Sequence, residues 1–292
     1  MYIYLKGEMH MSLKIMVDST FNLEKEFIEE NDITVVPLNV IIGEENYIDG
    51  EISLDKILDS VLDGKKVTTS QPSPLLFEKA FKNLRDEGAT DILCLTLSST
   101  LSGTHQAALL GAEDVEGVNI VVYDTLSASI GSEIFANVAV RELKNNSSLN
   151  EIIDKLDVIR KNSGILIALK DLTALKKSGR ISRLRATIGN LLRVKPVVEY
   201  FEGKVSITSK FRTDSQVFKW IIDKMKSILD NVKTKIHIIV TDIRAMDRIK
   251  KIQKSLKEAF PKVDIRFTDV GITPVIAVNI GYGGFGVAWS YE

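Results

Sequence analysis

The 292-residue chain carries a net charge of −1, with 45% hydrophobic and 26% charged residues, an ordinary balance for a globular chain with room for one large or two medium domains. So small a net charge gives no general attraction to nucleic acid, and no apolar run approaches the roughly 18 residues that span a bilayer. A single cysteine, Cys94, excludes a disulfide framework and fits a reducing compartment. His10, His105 and His237 lie far apart without metal-ligand spacing, so neither metal nor cofactor is expected.

Taken in order, Met1 to Glu8 is too short and too polar for a secretory signal and reads as an extension before a body that begins near Leu13. Leu13 to Val17 is a short strand closed by Asp18-Ser19-Thr20, and Leu23 to Glu30 a helix that Asn22 can cap. Ile33 to Ile42 is a β-branched run interrupted by Pro37, hence an edge or bulged strand. Leu54 to Leu62 is a short amphipathic helix. The hydroxyl cluster Val67-Thr68-Thr69-Ser70-Gln71-Pro72-Ser73-Pro74 follows, with Ser73 as N-cap and Pro74 at the first helical position. Leu76, Phe77, Ala80, Phe81 and Leu84 then share one helix face.

The apolar run Ile92 to Leu97 reads as a buried strand. It empties into Ser98-Ser99-Thr100-Leu101-Ser102-Gly103-Thr104, where Gly103 permits a sharp bend before a helical pattern resumes at Ala107. A strand–turn–helix junction of this kind aims amide N–H groups and the positive end of a helix dipole at one point, a seat for an anion. Its hydroxyls either contact a ligand or cap the helix. Asn119 to Tyr123 is a further strand ending at Asp124-Thr125, and Ser127 and Ser129 lead into a helix through Ile134, Val138 and Leu143.

Strand and helix thus alternate through residue 143, which predicts an α/β layer with a mostly parallel sheet. Ligands bind beyond the carboxyl ends of such strands. Asp18-Ser19, Thr68 to Ser70, Ser98 to Ser102 and Asp124-Thr125 all fall there, and four polar tips on one edge favour a binding site over independent caps.

The polar segment Lys144 to Ser148 divides an N-terminal domain, 13–150, from a C-terminal domain, 151–292. In the second, Ile165 to Leu169, Pro196 to Tyr200, Val205 to Thr208, Ile236 to Thr241, Val263 to Phe267, Val275 to Ile280 and Phe285 to Tyr291 are strand-like. A hairpin turn lies at Phe201 to Lys204. Helix faces run from Ile152 to Ile159, Val217 to Leu229 and Ile249 to Phe260. That mixture predicts an α+β domain with a mixed or antiparallel sheet.

Lys176 to Lys195 carries seven positive charges, and no acidic residue occurs between Asp171 and Glu199. It reads as a solvated basic face, as an anion contact through Arg180 after the turn at Gly179, or as a docking surface for an acidic partner through Arg183 and Arg185. Gly281 to Gly286 is not a nucleotide loop, because a β-like segment follows it where a helix is required. Its glycines fit a tight loop passing close to a ligand, and Asn279 just before it offers an amide donor. A catalytic pair of Ser102 (or Ser99) with His105 would make the chain an acyl- or phospho-ester enzyme, but no Gly-x-Ser-x-Gly elbow is present.

Several segments together carry a resemblance over about Lys14 to Trp289. They are Val17-Asp18-Ser19-Thr20, Ile33 to Leu38, Asp49-Gly50, Thr68-Thr69-Ser70-Gln71-Pro72-Ser73-Pro74, Leu101-Ser102-Gly103-Thr104 and Ser178-Gly179-Arg180-Ile181. The chain resembles the DegV family, bacterial fatty-acid-binding proteins that present a fatty acid to a separate kinase. The resemblance implies two α/β domains with the ligand between them, a cytoplasmic carrier and not an enzyme by itself. It places the carboxylate on Thr69 (with Thr68 beside it) and on Ser102 with Gly103, and Arg180 near the entrance. The family's closing motif is typically His-x-Gly-Pro-Gly. Here Asn279 and Tyr282 replace the histidine and proline, so a neutral amide stands where the family has a titratable ring. A regulatory protein-docking module is the remaining reading.

Overall fold

The structure, a computed structural model, describes residues 12–179, 194–230, 232, 236–267 and 271–292. The first half runs β1 (Leu13–Asp18), α1 (Lys25–Glu30), β2 (Thr34–Val36), β3 (Asn39–Ile42), β4 (Glu45–Ile48), α2 (Leu54–Leu62), β5 (Val67–Ser70), α3 (Pro74–Asp86), β6 (Asp91–Thr96), α4 (Thr104–Ala112), β7 (Asn119–Asp124) and α5 (Ile130–Lys144). The second runs α6 (Leu149–Lys161), β8 (Ser163–Ala168), α7 (Thr173–Lys177), β9 (Lys195–Phe201), β10 (Lys204–Phe211), α8 (Asp214–Leu229), β11 (Ile236–Asp242), α9 (Met246–Ala259), β12 (Asp264–Phe267), α10 (Pro274–Ile280) and β13 (Phe285–Tyr291).

Three sheets result. A parallel sheet has the order β2-β1-β6-β7, a mixed sheet the order β10-β9-β8-β13-β11-β12, and a small antiparallel sheet the order β4-β3-β5. The expected α/β character with a parallel sheet followed by a mixed one is what the chain adopts.

Burial explains the layering. Side chains alternate along a strand, and in β1 and β6 both faces are apolar. Ile15, Val17, Leu93 and Leu95 join one core with α5 and α6, while Met16, Ile92 and Cys94 join another with Phe77, Phe81 and Ala107 of α3 and α4. Cys94 is fully buried, and that burial pushes its thiol pKa up, as expected of a core residue.

The α5 helix then serves both large sheets. Its Ile134 and Phe135 lie in the same core as Ile165, Ile239 and Ala288 of the mixed sheet. The opposite face of that sheet, with Leu166, Val240 and Val287, is covered by α8 and α9. The order through the molecule is therefore α3/α4, parallel sheet, α5/α6, mixed sheet, α8/α9. Among the described residues no helix is long and apolar enough to cross a membrane.

Gly131 in α5 is required by this sandwich. A Cβ there would lie 2.3 Å from Ser127 Oγ and 2.6 Å from Ile165 Cδ1. Alanine normally favours a helix over glycine by up to about 1 kcal/mol, but overpacking costs about 1–3 kcal/mol. Gly131→Ala is expected to lower stability by about 1 kcal/mol, seen as a lower urea midpoint at unchanged slope; a raised midpoint would show the contact relaxes freely.

Several local expectations hold. Ser73 accepts from Leu76 N at 3.3 Å ahead of Pro74. The β9–β10 hairpin turns at Glu202 (φ 47°) and Gly203 (φ 70°), the pair of positive φ values a tight hairpin needs.

Others are corrected. Val275 to Ile280, expected as a strand, is the helix α10: Pro274 occupies its first turn, and burial on all sides removes the periodicity that separates helix from strand. Asn22 does not cap α1, whose N-cap is Glu24. Ile33 to Ile42 is two strands in different sheets, split at Pro37-Leu38, because proline has no N–H for a ladder. Thr68 to Ser70 is itself the strand β5. The helix after the hydroxyl turn starts at Thr104, earlier than the Ala107 of the pattern.

Candidate functional site: an apolar cavity with a hydroxyl rim

The carboxyl ends of β1, β6 and β7 carry Asp18, Thr96 and Asp124. The two aspartates shape the loops. Asp18 is fully buried and accepts from Leu97 N at 2.6 Å, and from Thr20 N at 2.9 Å and Thr20 Oγ1 at 2.6 Å. Burial pushes its carboxyl up to about 6, against those hydrogen bonds. Asp124 accepts from Ser99 N at 3.2 Å and Leu126 N at 3.0 Å.

Asp49, also raised to about 6 by burial, accepts from Ser19 Oγ at 2.7 Å and from Val275 N at 3.1 Å. It thereby fastens the N-terminus of α10 to the loop after β1.

Below these loops lies a cavity of about 140 Å³. Its walls come from five places: Leu97, Leu101 and Ser102 after β6; Ala128 to Ile130 at the start of α5; Thr69, Ser70 and Gln71 at the end of β5; Val275, Ile276, Asn279 and Ile280 of α10; and the mixed sheet with Ile165, Val198, Tyr200, Val205 and Thr241. Leu38, Leu169, Leu175, Ile272 and Phe285 add further apolar surface. No charged side chain is among its described lining residues. Tyr200 OH lies 3.1 Å from Thr100 Oγ1, which donates to Gly203 O at 2.9 Å, so the β9–β10 hairpin is tied to the β6–α4 loop across the cavity.

Of the candidate residues, Thr69, Ser102 and Asn279 line one cavity. Thr68 pairs with Ile41 and is not among the lining residues, whereas Thr69 and Ser70 after it are. Gly103 has φ −79°, a value any residue adopts, and it too is not a lining residue. Its use is space: a Cβ there would lie 2.1 Å from Gln71 Oε1, so the missing side chain lets Gln71 reach the cavity. Arg180, Arg183 and Arg185 lie outside the described residues. Of the described basic stretch, Lys176 and Lys177 are exposed and Lys195 pairs with Asp214 at 3.1 Å.

Several amides of the loop are used within it. Thr100 N and Thr104 N bond the Ser98 and Ser102 hydroxyls, while Leu101 N and Ser102 N bond Ser98 O. Side chains add donors of their own. Ser102 Oγ is 2.9 Å from Thr104 Oγ1; when Thr104 donates in that pair, the Ser102 hydrogen is free for a ligand.

Asn279 gives its Nδ2 to Val275 O at 2.8 Å, and its buried Oδ1 has no partner among the described residues. The carbonyl can only accept, which fixes the amide orientation. His105 Nδ1 lies 3.0 Å from Thr96 Oγ1, so the described hydrogen bonds do not join His105 to Ser102. The Gly281 to Gly284 loop leads from α10 into β13, the reverse of a phosphate-cradling order. Gln71, Ser129, Tyr200 and Thr241 were not among the candidate site residues; Gln71 lay in the Thr68 to Pro74 motif and Ser129 in the loop after a strand, whereas Tyr200 and Thr241 carried no such signal.

The DegV family model matches residues 12–292. The chain belongs to the DegV family. A DegV domain-containing protein of Listeria monocytogenes is 32% identical over 286 residues, covering 97% of this chain and all of the relative. Among solved structures, a DegV family protein from Thermus thermophilus described for fatty-acid binding has TM-score 0.90 and 27% identity, covering 97% of this chain and 100% of the other. A stearic-acid-binding protein from Eubacterium ventriosum has TM-score 0.87 and 28% identity, with 96% and 98% covered. Fatty-acid binding is thus a property of this DegV chain's structural neighbours, and the apolar cavity lies within the shared fold.

Proposed function

We propose that this DegV chain binds one long-chain fatty acid in the cavity, with its carboxylate on the Thr69 and Ser102 hydroxyls, and presents that carboxylate to a partner kinase in the cytoplasm. Residues 13–150 and 151–292 act as the two sides of the site. The observation that carries the reading is an apolar cavity, without charge among its described lining residues, with hydroxyls from β5 and from the β6–α4 loop on its wall.

The energetics favour a long acyl chain. Each buried methylene contributes about 0.8 kcal/mol, so sixteen carbons offer roughly 12 kcal/mol before the cost of ordering a flexible chain. Affinity then resides in the tail and orientation in the headgroup. Gln71, exposed yet lining the cavity, marks the side from which a partner reaches the headgroup. The fatty-acid ligands of the Thermus and Eubacterium relatives support the same reading.

Native mass spectrometry of the purified full chain is expected to show retained mass in the C14–C18 fatty-acid range. A chain purified empty and without affinity for any such acid would overturn the reading. Replacing Thr69 by Val together with Ser102 by Ala should weaken binding by about two to four orders of magnitude, the loss of two hydrogen bonds to a charged group at about 1.5–3 kcal/mol each. Unchanged affinity in the double variant would show that the headgroup lies elsewhere.

A further inference from the structure

Two hydroxyls on the cavity wall have no role in the carboxylate site. Ser129 is 6% exposed and Thr241 2%, both line the cavity, and neither Oγ has a hydrogen-bond partner among the described residues. Protein interiors seldom leave buried hydroxyls unmatched, because desolvation is then uncompensated.

Ser129 is the N-cap residue of α5, yet its side chain makes no capping bond, so the helix does not account for the serine. Its backbone sits at φ 53° and ψ −130°, a strained region for an L-residue that is typically held where a site needs it.

Thr241 stands opposite Gly286 in the β11–β13 ladder. A Cβ at Gly286 would lie 3.3 Å from Ile130 Cδ1 and 3.9 Å from Thr241 Cγ2. Ile130 at the start of α5 and Thr241 of β11 therefore both pack against Gly286 of β13, and Ser129 and Thr241 line the cavity on that side. Thr69 and Ser102 come from other elements, β5 and the β6–α4 loop.

We propose that Ser129 and Thr241 form a polar subsite for an oxygen borne on the acyl chain, so that the cavity selects a hydroxy fatty acid over its unsubstituted counterpart. An alcohol both donates and accepts, and the two side chains supply two donors and spare acceptor positions; a methylene answers neither. The inference rests on the carrier reading above and specifies its ligand class.

The test is competitive binding to the delipidated full chain. The probes are octadecanoic acid and a set of monohydroxyoctadecanoic acids with the hydroxyl at successive positions from carbon 3 to carbon 16. At least one isomer is expected to bind about tenfold tighter than octadecanoic acid. In Ser129→Ala and in Thr241→Val that ratio should fall toward one, while Thr241→Ser, which keeps the hydroxyl, should retain it. Melting curves confirm folding of each variant, and any one folded variant suffices.

No preferred isomer in the wild-type chain overturns the subsite. So does a preference that survives in Ser129→Ala and Thr241→Val, or variants that shift both acids by the same factor. If the wild-type chain binds none of the acids, the carrier reading itself fails; if it binds all equally, only the subsite does.

Discussion

Replacing Val205 with Trp is expected to weaken fatty-acid binding by two to three orders of magnitude while the fold persists. Val205 is half-buried on β10, an edge strand of the mixed sheet, and its side chain lines the cavity opposite Tyr200, its ladder partner. An indole there occupies space that the acyl chain needs. Displacing four or five methylenes forfeits roughly 3–4 kcal/mol, a factor of several hundred in the dissociation constant. The edge position lets β10 shift outward, whereas the same change at a central strand would strain both neighbours. Ser206→Trp is the control: its side chain points to the other face, and binding should stay near that of the wild type. Titration with octadecanoic acid decides the matter. Equal affinity in Val205→Trp and the parent would mean the tail runs along another wall.

Much of this arrangement was legible in the residues. Near-continuous apolar runs such as Leu13 to Val17 and Ile92 to Leu97 became central strands because both of their faces are covered, and Ser73-Pro74 announced a helix start. Thr69 and Ser102 could be paired through strand-end logic together with the family resemblance, and they do meet at one cavity.

What failed to show had physical causes. Val275 to Ile280 is apolar at nearly every position because α10 is wedged among α2, β3, β5 and α7: Val275 and Val278 face one core, Ile276 and Ala277 another. A run buried on all sides loses the period that would mark it as helical. Thr241 looked like a strand residue among others, since nothing local tells a hydroxyl that faces a cavity from one that faces a ladder. Gly103 looked like a bend, yet its use, room for Gln71, depends on a residue 32 positions earlier. Contacts made by tertiary approach leave no local pattern.

The chain is expected to be more stable at pH 5.5 than at pH 8, the reverse of the usual carboxylate-driven trend. Three buried carboxyls set the sign. Asp18 and Asp49 are pushed from 3.8 to about 6, and Glu133 from 4.5 to about 7, in each case chiefly by burial. Arg266, whose Nη1 is 2.7 Å from Glu133 Oε1, opposes this only in part.

Between pH 4 and 7 the folded chain therefore binds more protons than the unfolded chain, and its stability falls as pH rises through that window. A carboxyl moved from 3.8 to about 6 favours its neutral form by roughly 3 kcal/mol. Exposed groups with the opposite tendency, such as the capping Glu151 held below its ordinary value by Ser148, act at the solvated surface, where such interactions are weak.

Glu133→Gln isolates one contribution. Glutamine keeps the shape beside Asn22 and Arg266 but does not titrate, so the fall in stability between pH 5.5 and 8 should shrink by about 1–3 kcal/mol relative to the parent. Urea unfolding at the two pH values reads the difference directly. A parent chain that gains stability toward pH 8, or a glutamine variant with the parent's full slope, would mean that Glu133 stays ionised in the folded protein through its pairing with Arg266.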